Sequence, residues 1–352
     1  MTDITNDISS RVQAAYQANS PLNIIAAGTK SFLGHVSPDA ITLDVRGHSG
    51  IIEYDPAELV LVARAGTPLR EIEDLLGNNQ QMLGFEPPFV DNGATLGGAI
   101  AAGLAGPARA YSGGVRDFIL GAGFINGKGE SITTGGKVMK NVAGFDLFRP
   151  MAGSMGTLGV LLKIAIRTIP RPEAELSLIQ EESDETSALE KINHWRSKTQ
   201  AISGATWDGQ MIRIRLSGSA AGVQHGHAQI GGEILTNENY WHDLNNLKLE
   251  FFKQSGRLWR ISVAAMSGPV NDNSPQLIDW GGAQRWLKSD EAPEAIRSRA
   301  AHLGGHATCF SDDQSVSTFQ PLEGNLLTLN KRFKAALDPA GILNPGRLHP
   351  EL

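Results

Sequence analysis

Hydrophobic and polar positions follow two textures along the chain. In the first half, short apolar runs separated by Gly, Pro, Asp and Thr predict strands at 22–26, 41–45, 51–54, 59–65, 118–126 and 160–169. A helix capped by Asp7 or Ser9 is expected to run to about Ala18, and a second from Thr67-Pro68 through Leu76 to a stop at Gly77. The stretch 95–104 has only small residues on its glycine face, so as a helix it would pack unusually close to a neighbour. Asn126-Gly127 has the form of a hairpin turn. Ile169-Pro170-Arg171-Pro172 breaks the pattern and closes a first domain, 1–171.

Beyond that boundary the pattern predicts a polar amphipathic helix at 181–198, a hairpin of 202–207 and 211–216 around Asp208-Gly209, and a helix at 219–230. Strand signals at 260–266, 277–280 and 306–310 and a helix at 293–303 complete a domain 172–321, an α+β layer on an antiparallel sheet. A helix at 326–337 and the tail Asp338 to Arg347 return to the Gly/Pro style of the first half. The segment 322–352 is therefore expected to pack back on the first domain.

Composition narrows the chemistry. Of 352 residues 40 are Gly, above the roughly 7% of average usage. The formal charge of −6 speaks against a general nucleic-acid binder. The acidic N-terminal stretch lacks the apolar core of a signal peptide and no run is apolar enough to span a bilayer, so a cytoplasmic location is expected. Cys309, the single cysteine, cannot hold an iron–sulfur cluster, which needs several thiolates.

The glycines cluster with Thr and Ser in separate turns, as backbone built to approach phosphate. No G-x-G-x-x-G opens a helix after a strand, and the stretch 121–129 has Gly129 where a Walker loop needs Ser or Thr, so Rossmann and P-loop sites are both disfavoured. Turns spread over about 130 residues suit an extended dinucleotide lying between two subdomains. His302 and His306 have the spacing of a helical metal pair, but Gly304-Gly305 between them argues against a helix, and no metal site is assigned. His225 and His227 read as a solvated helix surface. Arg116-Asp117 and Asp146 with Arg149 read equally as ion pairs after turns or as ligand contacts.

Five motifs in order carry a family resemblance: Ala27-Gly28-Thr29-Lys30 after a strand, Thr95-Leu96-Gly97-Gly98, Ser112-Gly113 with Arg116-Asp117, Lys140-Asn141 with Gly144 and Asp146, and Gly153 through Gly156-Thr157 to Gly159-Val160. With Ile342 to Arg347, they resemble the FAD-binding domain of the vanillyl-alcohol-oxidase and p-cresol-methylhydroxylase flavoprotein superfamily. Within it the chain is similar to the smaller FAD-binding subunits of bacterial glycolate oxidases, through GGKVMKNVAGFDLFR, the phrase Ile278 to Trp286 and Gly304 to Thr308. The resemblance implies a two-subdomain FAD-binding domain of the p-cresol-methylhydroxylase type with a smaller α+β cap. It places Ala26 to Lys30 and Thr95 to Gly98 as backbone donors to the FAD pyrophosphate, with Gly103, Ser112, Gly113, Arg116, Asp117, Lys140, Asn141, Gly144 and Asp146 lining the cleft. Gly153, Gly156, Thr157, Gly159 and Val160 would wrap the adenine and ribose, and Asn344 would approach the flavin. Thr29 stands where covalent members attach flavin through histidine, so noncovalent FAD is expected.

It further implies oxidation of glycolate to glyoxylate in a complex with a larger FAD-containing subunit and an iron–sulfur subunit, membrane association arising only through those partners. A self-sufficient dehydrogenase of another 2-hydroxy acid or alcohol, and an assembly subunit whose flavin does not turn over, stay open. Met155 replaces the acidic residue common in the larger relatives' Gly-Ser-Glu-Gly turn, and their metal-linked histidine motif has no counterpart. Arg213, Arg215, Arg257, Arg260 and His306 are available in the second half, and no catalytic residue is assigned.

Overall fold

The computed structural model describes residues 2–136, 146–270, 275–313 and 315–352. They form two compact units: unit 1 from residues 1–105, 114–170 and 321–352, and unit 2 from 106–113 and 171–320.

Unit 1 opens with helix α1, Thr5–Ala18, which starts ahead of the expected caps. Asp3 Oδ1 accepts the Thr5 N–H, while Ser9 Oγ donates to the Gly129 carbonyl. Strands β1 (Leu22–Ile25) and β2 (Ile41–Asp44) pair in parallel, and the C-terminal tail extends this small sheet through a parallel bridge of Leu22 with Leu343. β3 (Ile51–Asp55) and β4 (Val60–Arg64) begin the main sheet, followed by α2 (Leu69–Asn78), the short β5 (Gln81–Met82) and α3 (Leu96–Ala102). β6 (Ile119–Ile125), β7 (Ser131–Gly135) and β8 (Val160–Arg167) complete the five-stranded antiparallel order β3-β4-β8-β6-β7, while β9 (Ile169–Pro170) pairs with β5.

β6 is buried along its whole length and β8 at all but Lys163 and Arg167, which is why both read as unbroken apolar runs. Their core lies against α2 and α3, with Leu69, Ile72, Leu76, Leu96 and Ile100 packed on Leu61, Ile164 and Ile166. The β6–β7 connection is a five-residue loop rather than a two-residue turn. Asn126 Oδ1 accepts the N–H groups of Lys128 and Glu130, and the positive φ falls on Gly129.

Unit 2 carries one antiparallel sheet of eight strands: β10 (Ala174–Glu181), β11 (Ile202–Trp207), β12 (Met211–Gly218), β13 (Glu233–Ile234), β14 (Leu258–Ser262), β15 (Gln276–Asp279), β16 (Gln284–Lys288) and β17 (His306–Cys309). Their order is β13-β10-β12-β11-β15-β16-β14-β17. Three of these strands are absent from the sequence expectation, β10, β13 and β16. The helix expected from 181 begins only at Glu185, where Asp184 Oδ2 caps the Ser187 N–H, because alternating Ala174 to Glu181 pairs along β12 instead. Helices Glu185–Lys198 and Ala220–Ile230 cover one core, and Pro293–His302 covers another built on Trp259, Ile261, Leu287 and Ala307. The closing helix Gly324–Leu337 belongs to unit 1.

Candidate functional site

The loop after β1 presents open backbone. Gly28 takes φ +72°, and a Cβ built on it would meet nothing within 4 Å, so this backbone faces open space beside exposed Ala27. Lys30, two residues further on, is 7% exposed. Its ammonium donates to Thr29 Oγ1 at 3.1 Å and lies 5.4 Å from the centre of the Phe89 ring. Among the described residues no carboxylate joins it, and burial lowers its pKa from 10.5 to about 8. A desolvated cation beside unobstructed backbone is a donor set suited to a phosphate.

The second turn differs from its expected role. Thr95 caps α3, its Oγ1 accepting the Gly98 N–H at 3.2 Å, while the Leu96 N–H donates to Thr67 O and the Gly97 N–H to Ala65 O at 2.7 Å. The three donors assigned to pyrophosphate at 96–98 are thus engaged within the protein. Gly97 is small for packing: a Cβ there would stand 2.7 Å from the Ala65 Cβ.

The third turn is zipped onto α3. The Gly153 N–H donates to Ile100 O and the Met155 N–H to Ala101 O, and Gly103, with φ +64°, lets the end of α3 approach Gly153. Gly153 itself, at φ +84°, faces open space as Gly28 does. Thr157 Oγ1 donates to Ser154 O, Gly159 makes room for Phe124, and Val160 is fully buried.

Asn344 joins the first and third turns. Its Oδ1 accepts the Ile24 N–H at 2.7 Å, and its Nδ2 donates to Met155 O at 2.6 Å, under Gly156. Both ends of the amide are therefore held by protein, and Asn344 acts as a clamp on the loop bases. Sequence reasoning missed the support beneath it. Lys334 Nζ, buried, donates to Thr157 O at 2.9 Å, Leu343 O at 2.7 Å and Asp338 Oδ2 at 2.7 Å, and Asp338 accepts the Ile342 and Leu343 N–H groups. The i, i+4 spacing of Lys334 and Asp338 ahead of a proline was the available signal.

Other expected positions are placed apart from these turns or outside the described residues. Ser112 Oγ donates to Ala108 O, and Gly113 ends the short helix Arg109–Ser112 of unit 2 with φ +107°. Asp117 Oδ2 accepts the Gly114 N–H, and Arg116 is exposed 3.9 Å from Asp117, a capping and ion-pair arrangement. Asp146 pairs with Arg149 at 3.1 Å on the surface. Lys140, Asn141 and Gly144 lie outside the described residues. The helix before His302 ends there, Gly304 takes φ +71°, and His306 starts β17; among the described residues no group of three metal-ligating side chains forms.

Residues 3–135 match the FAD binding domain family. Over 350 residues, 99% of each chain, the sequence is 44% identical to glycolate oxidase subunit GlcE of Escherichia coli K12. The chain belongs to the GlcE family of glycolate oxidase subunits. About half of this GlcE-family chain, 176 residues, is 27% identical to 29% of the mitochondrial D-lactate dehydrogenase [cytochrome] 1 of Saccharomyces cerevisiae. Among solved structures, p-cresol methylhydroxylase superposes with a TM-score of 0.72 at 16% identity, over 99% of this chain and 87% of that one. Alkyldihydroxyacetonephosphate synthase gives 0.69 at 15%, over 98% and 75%. At these identities the likeness establishes the p-cresol-methylhydroxylase type of fold.

Proposed function

We propose that the chain is the FAD-carrying subunit of a glycolate oxidase and takes part in the conversion of glycolate to glyoxylate within a multisubunit complex. The observation that carries the reading is the loop 26–30. A buried Lys30 that no carboxylate joins among the described residues, beside outward-facing Gly28, holds a position that an anionic dinucleotide satisfies. Bound FAD supplies the two-electron acceptor that the oxidation requires. Lys30 and the backbone at Ala27-Gly28 hold its pyrophosphate, Gly153 to Gly156 give close main-chain approach, and Asn344 fixes the spacing of the two turns. FAD is held without a covalent bond, since Thr29 offers no ring nitrogen for attachment.

Electrons leave through a partner carrying the iron–sulfur cluster, because the lone Cys309 is buried in unit 2 and cannot ligate one. A larger FAD-containing subunit completes the assembly, which is cytoplasmic or peripheral on the inner face of the membrane through its partners. Among the described residues no helix is long and apolar enough to cross a membrane.

The test is purification of the chain alone and with its co-expressed partners, with FAD quantified after denaturation. Stoichiometric FAD in the isolated chain, and glycolate-dependent dye reduction by the complex that collapses with a Lys30→Met subunit, are expected. A chain that never retains FAD overturns the reading. Anaerobic glycolate added to the isolated chain separates the subunit role from self-sufficiency: bleaching of the flavin without partners would assign the oxidation to this chain alone.

A further inference from the structure

The closing helix Gly324–Leu337 carries two rows of side chains at helical spacing, and unit 1 covers one of them. Leu327, Asn330, Lys334 and Leu337 follow one another at intervals of three and four and turn inward, the first two half-buried and the last two buried. Leu326, Leu329 and Phe333 form the second row, about 100° round the helix. Phe333 packs against the unit 1 core and anchors the row at one end. Leu326 and Leu329 do not follow it inward: they are 55% and 63% exposed.

Two exposed leucines one turn apart are unlike the rest of the surface. Among the described residues, the other large apolar side chains left exposed, Val36, Ile41, Ile52, Ile234 and Met266, stand one to a strand or loop. Polar side chains are accommodated on the same turns, since Thr328 Oγ1 donates to Gly324 O and Asn330 Nδ2 to Leu326 O. An apolar ridge kept among them marks a surface that another molecule covers. The charge beside it has one sign. Lys331 and Arg332 are exposed next to the ridge, and no Asp or Glu lies between Gly324 and Leu337. The one ion pair of this helix among the described residues is buried Lys334 with Asp338, so neither exposed cation is matched by a carboxylate. In a chain of formal charge −6 this is a local reversal of sign.

We propose that the ridge Leu326–Leu329, with Lys331 and Arg332 beside it, docks into an apolar groove with an acidic rim on a partner subunit of the oxidase assembly. Anchors at i, i+3 and i+7 are what a helix offers to such a groove. The leucines supply the desolvated centre of the contact, while the two cations orient the partner and speed the encounter. A second copy of this chain is the poorer occupant, because pairing two such helices sets cations against cations with no acid on either ridge to offset them. That the partner is an oxidase subunit rests on the proposed function, while the ridge and its charge rest on the helix itself.

The test is affinity purification of the full, FAD-loaded chain co-expressed with its partner subunits. Leu326→Asp combined with Leu329→Asp is expected to lower the partner recovered per chain at least tenfold, with the melting temperature and FAD content of the isolated chain unchanged. Lys331→Glu combined with Arg332→Glu is expected to lower it severalfold, and salt to weaken the parent complex more than this variant's. A photo-reactive amino acid placed at Leu329 is expected to crosslink to a partner subunit, and this decides the matter if the aspartate variant fails to fold. A double variant that assembles like the parent, or a crosslink formed only to a second copy, overturns the proposal. So does a ridge needed for sedimentation with anionic phospholipid vesicles but not for assembly. A parent chain that recovers no partner sinks the proposed function as well, whereas intact assembly of the variants sinks this inference alone.

Discussion

Lys30 has opposite consequences for the empty and the loaded protein. Its pKa falls from 10.5 to about 8, and at 1.36 kcal/mol per pKa unit the buried charge costs the FAD-free chain on the order of 3 kcal/mol near neutral pH. Lys30→Met is therefore expected to raise the melting temperature without FAD and to weaken FAD binding tenfold or more; a flavin-fluorescence titration beside a melting curve checks both. The sign of the pH dependence follows. Between about pH 8 and 10.5 the unfolded chain binds the proton that the folded one has released, so the FAD-free chain gains stability as pH rises through that window. A bound pyrophosphate favours the charged amine, so FAD affinity falls as pH climbs past 8, and Lys30→Met flattens that slope. At Asn344 the effect is simpler. Asn344→Ala leaves the Ile24 N–H and Met155 O without their partners and is expected to cost about 2–4 kcal/mol in urea denaturation, with FAD affinity falling in parallel.

At the scale of elements, α3 and the closing helix set how firmly the turns are held. Gly97→Val drives a side chain into Ala65 and is expected to destabilise by about 1–3 kcal/mol or more, with FAD loss tracking unfolded protein rather than preceding it; matched flavin-release and circular-dichroism melts check this. Asp338→Asn leaves the Lys334 ammonium buried without its counter-charge, and about 3–5 kcal/mol of stability is expected to go. The double variant Lys334→Met with Asp338→Asn recovers part of it, which a double-mutant cycle by urea unfolding measures. Most elements were legible because their apolar periodicity is strong, as in β6 and β8. β10 was hidden because Ala174 to Glu181 is half-exposed and ends in the polar Gln180-Glu181, so it runs into the helix signal beyond it. The glycine turns were legible as special backbone, but not what each glycine serves. Gly28 and Gly97 are equivalent in sequence, and only the packing of Ala65 separates a ligand-facing glycine from a close-packing one.

For the whole molecule, the order of motifs carried the family and the fold, since each needs a glycine or a threonine at a fixed place in a fixed sequence of turns. Long-range partnerships left no comparable trace. Lys334 with Thr157 and Asn344 with Ile24 join residues 177 and 320 positions apart, and side chains that satisfy backbone groups in this way have no periodicity to betray them. The excursion of residues 106–113 into unit 2 is equally silent, because its glycines read as a continuation of the turn before it. The same separation governs how the protein comes into being. Unit 1 is built from three stretches of chain, and the clamp that fixes its first loop leaves the ribosome only after all of unit 2. A nascent chain must keep residues 22–30 waiting while all of unit 2 is made, so cofactor capture falls after unit 2 has been synthesised, and a chain cut before Asn344 is expected to be one that added flavin cannot rescue.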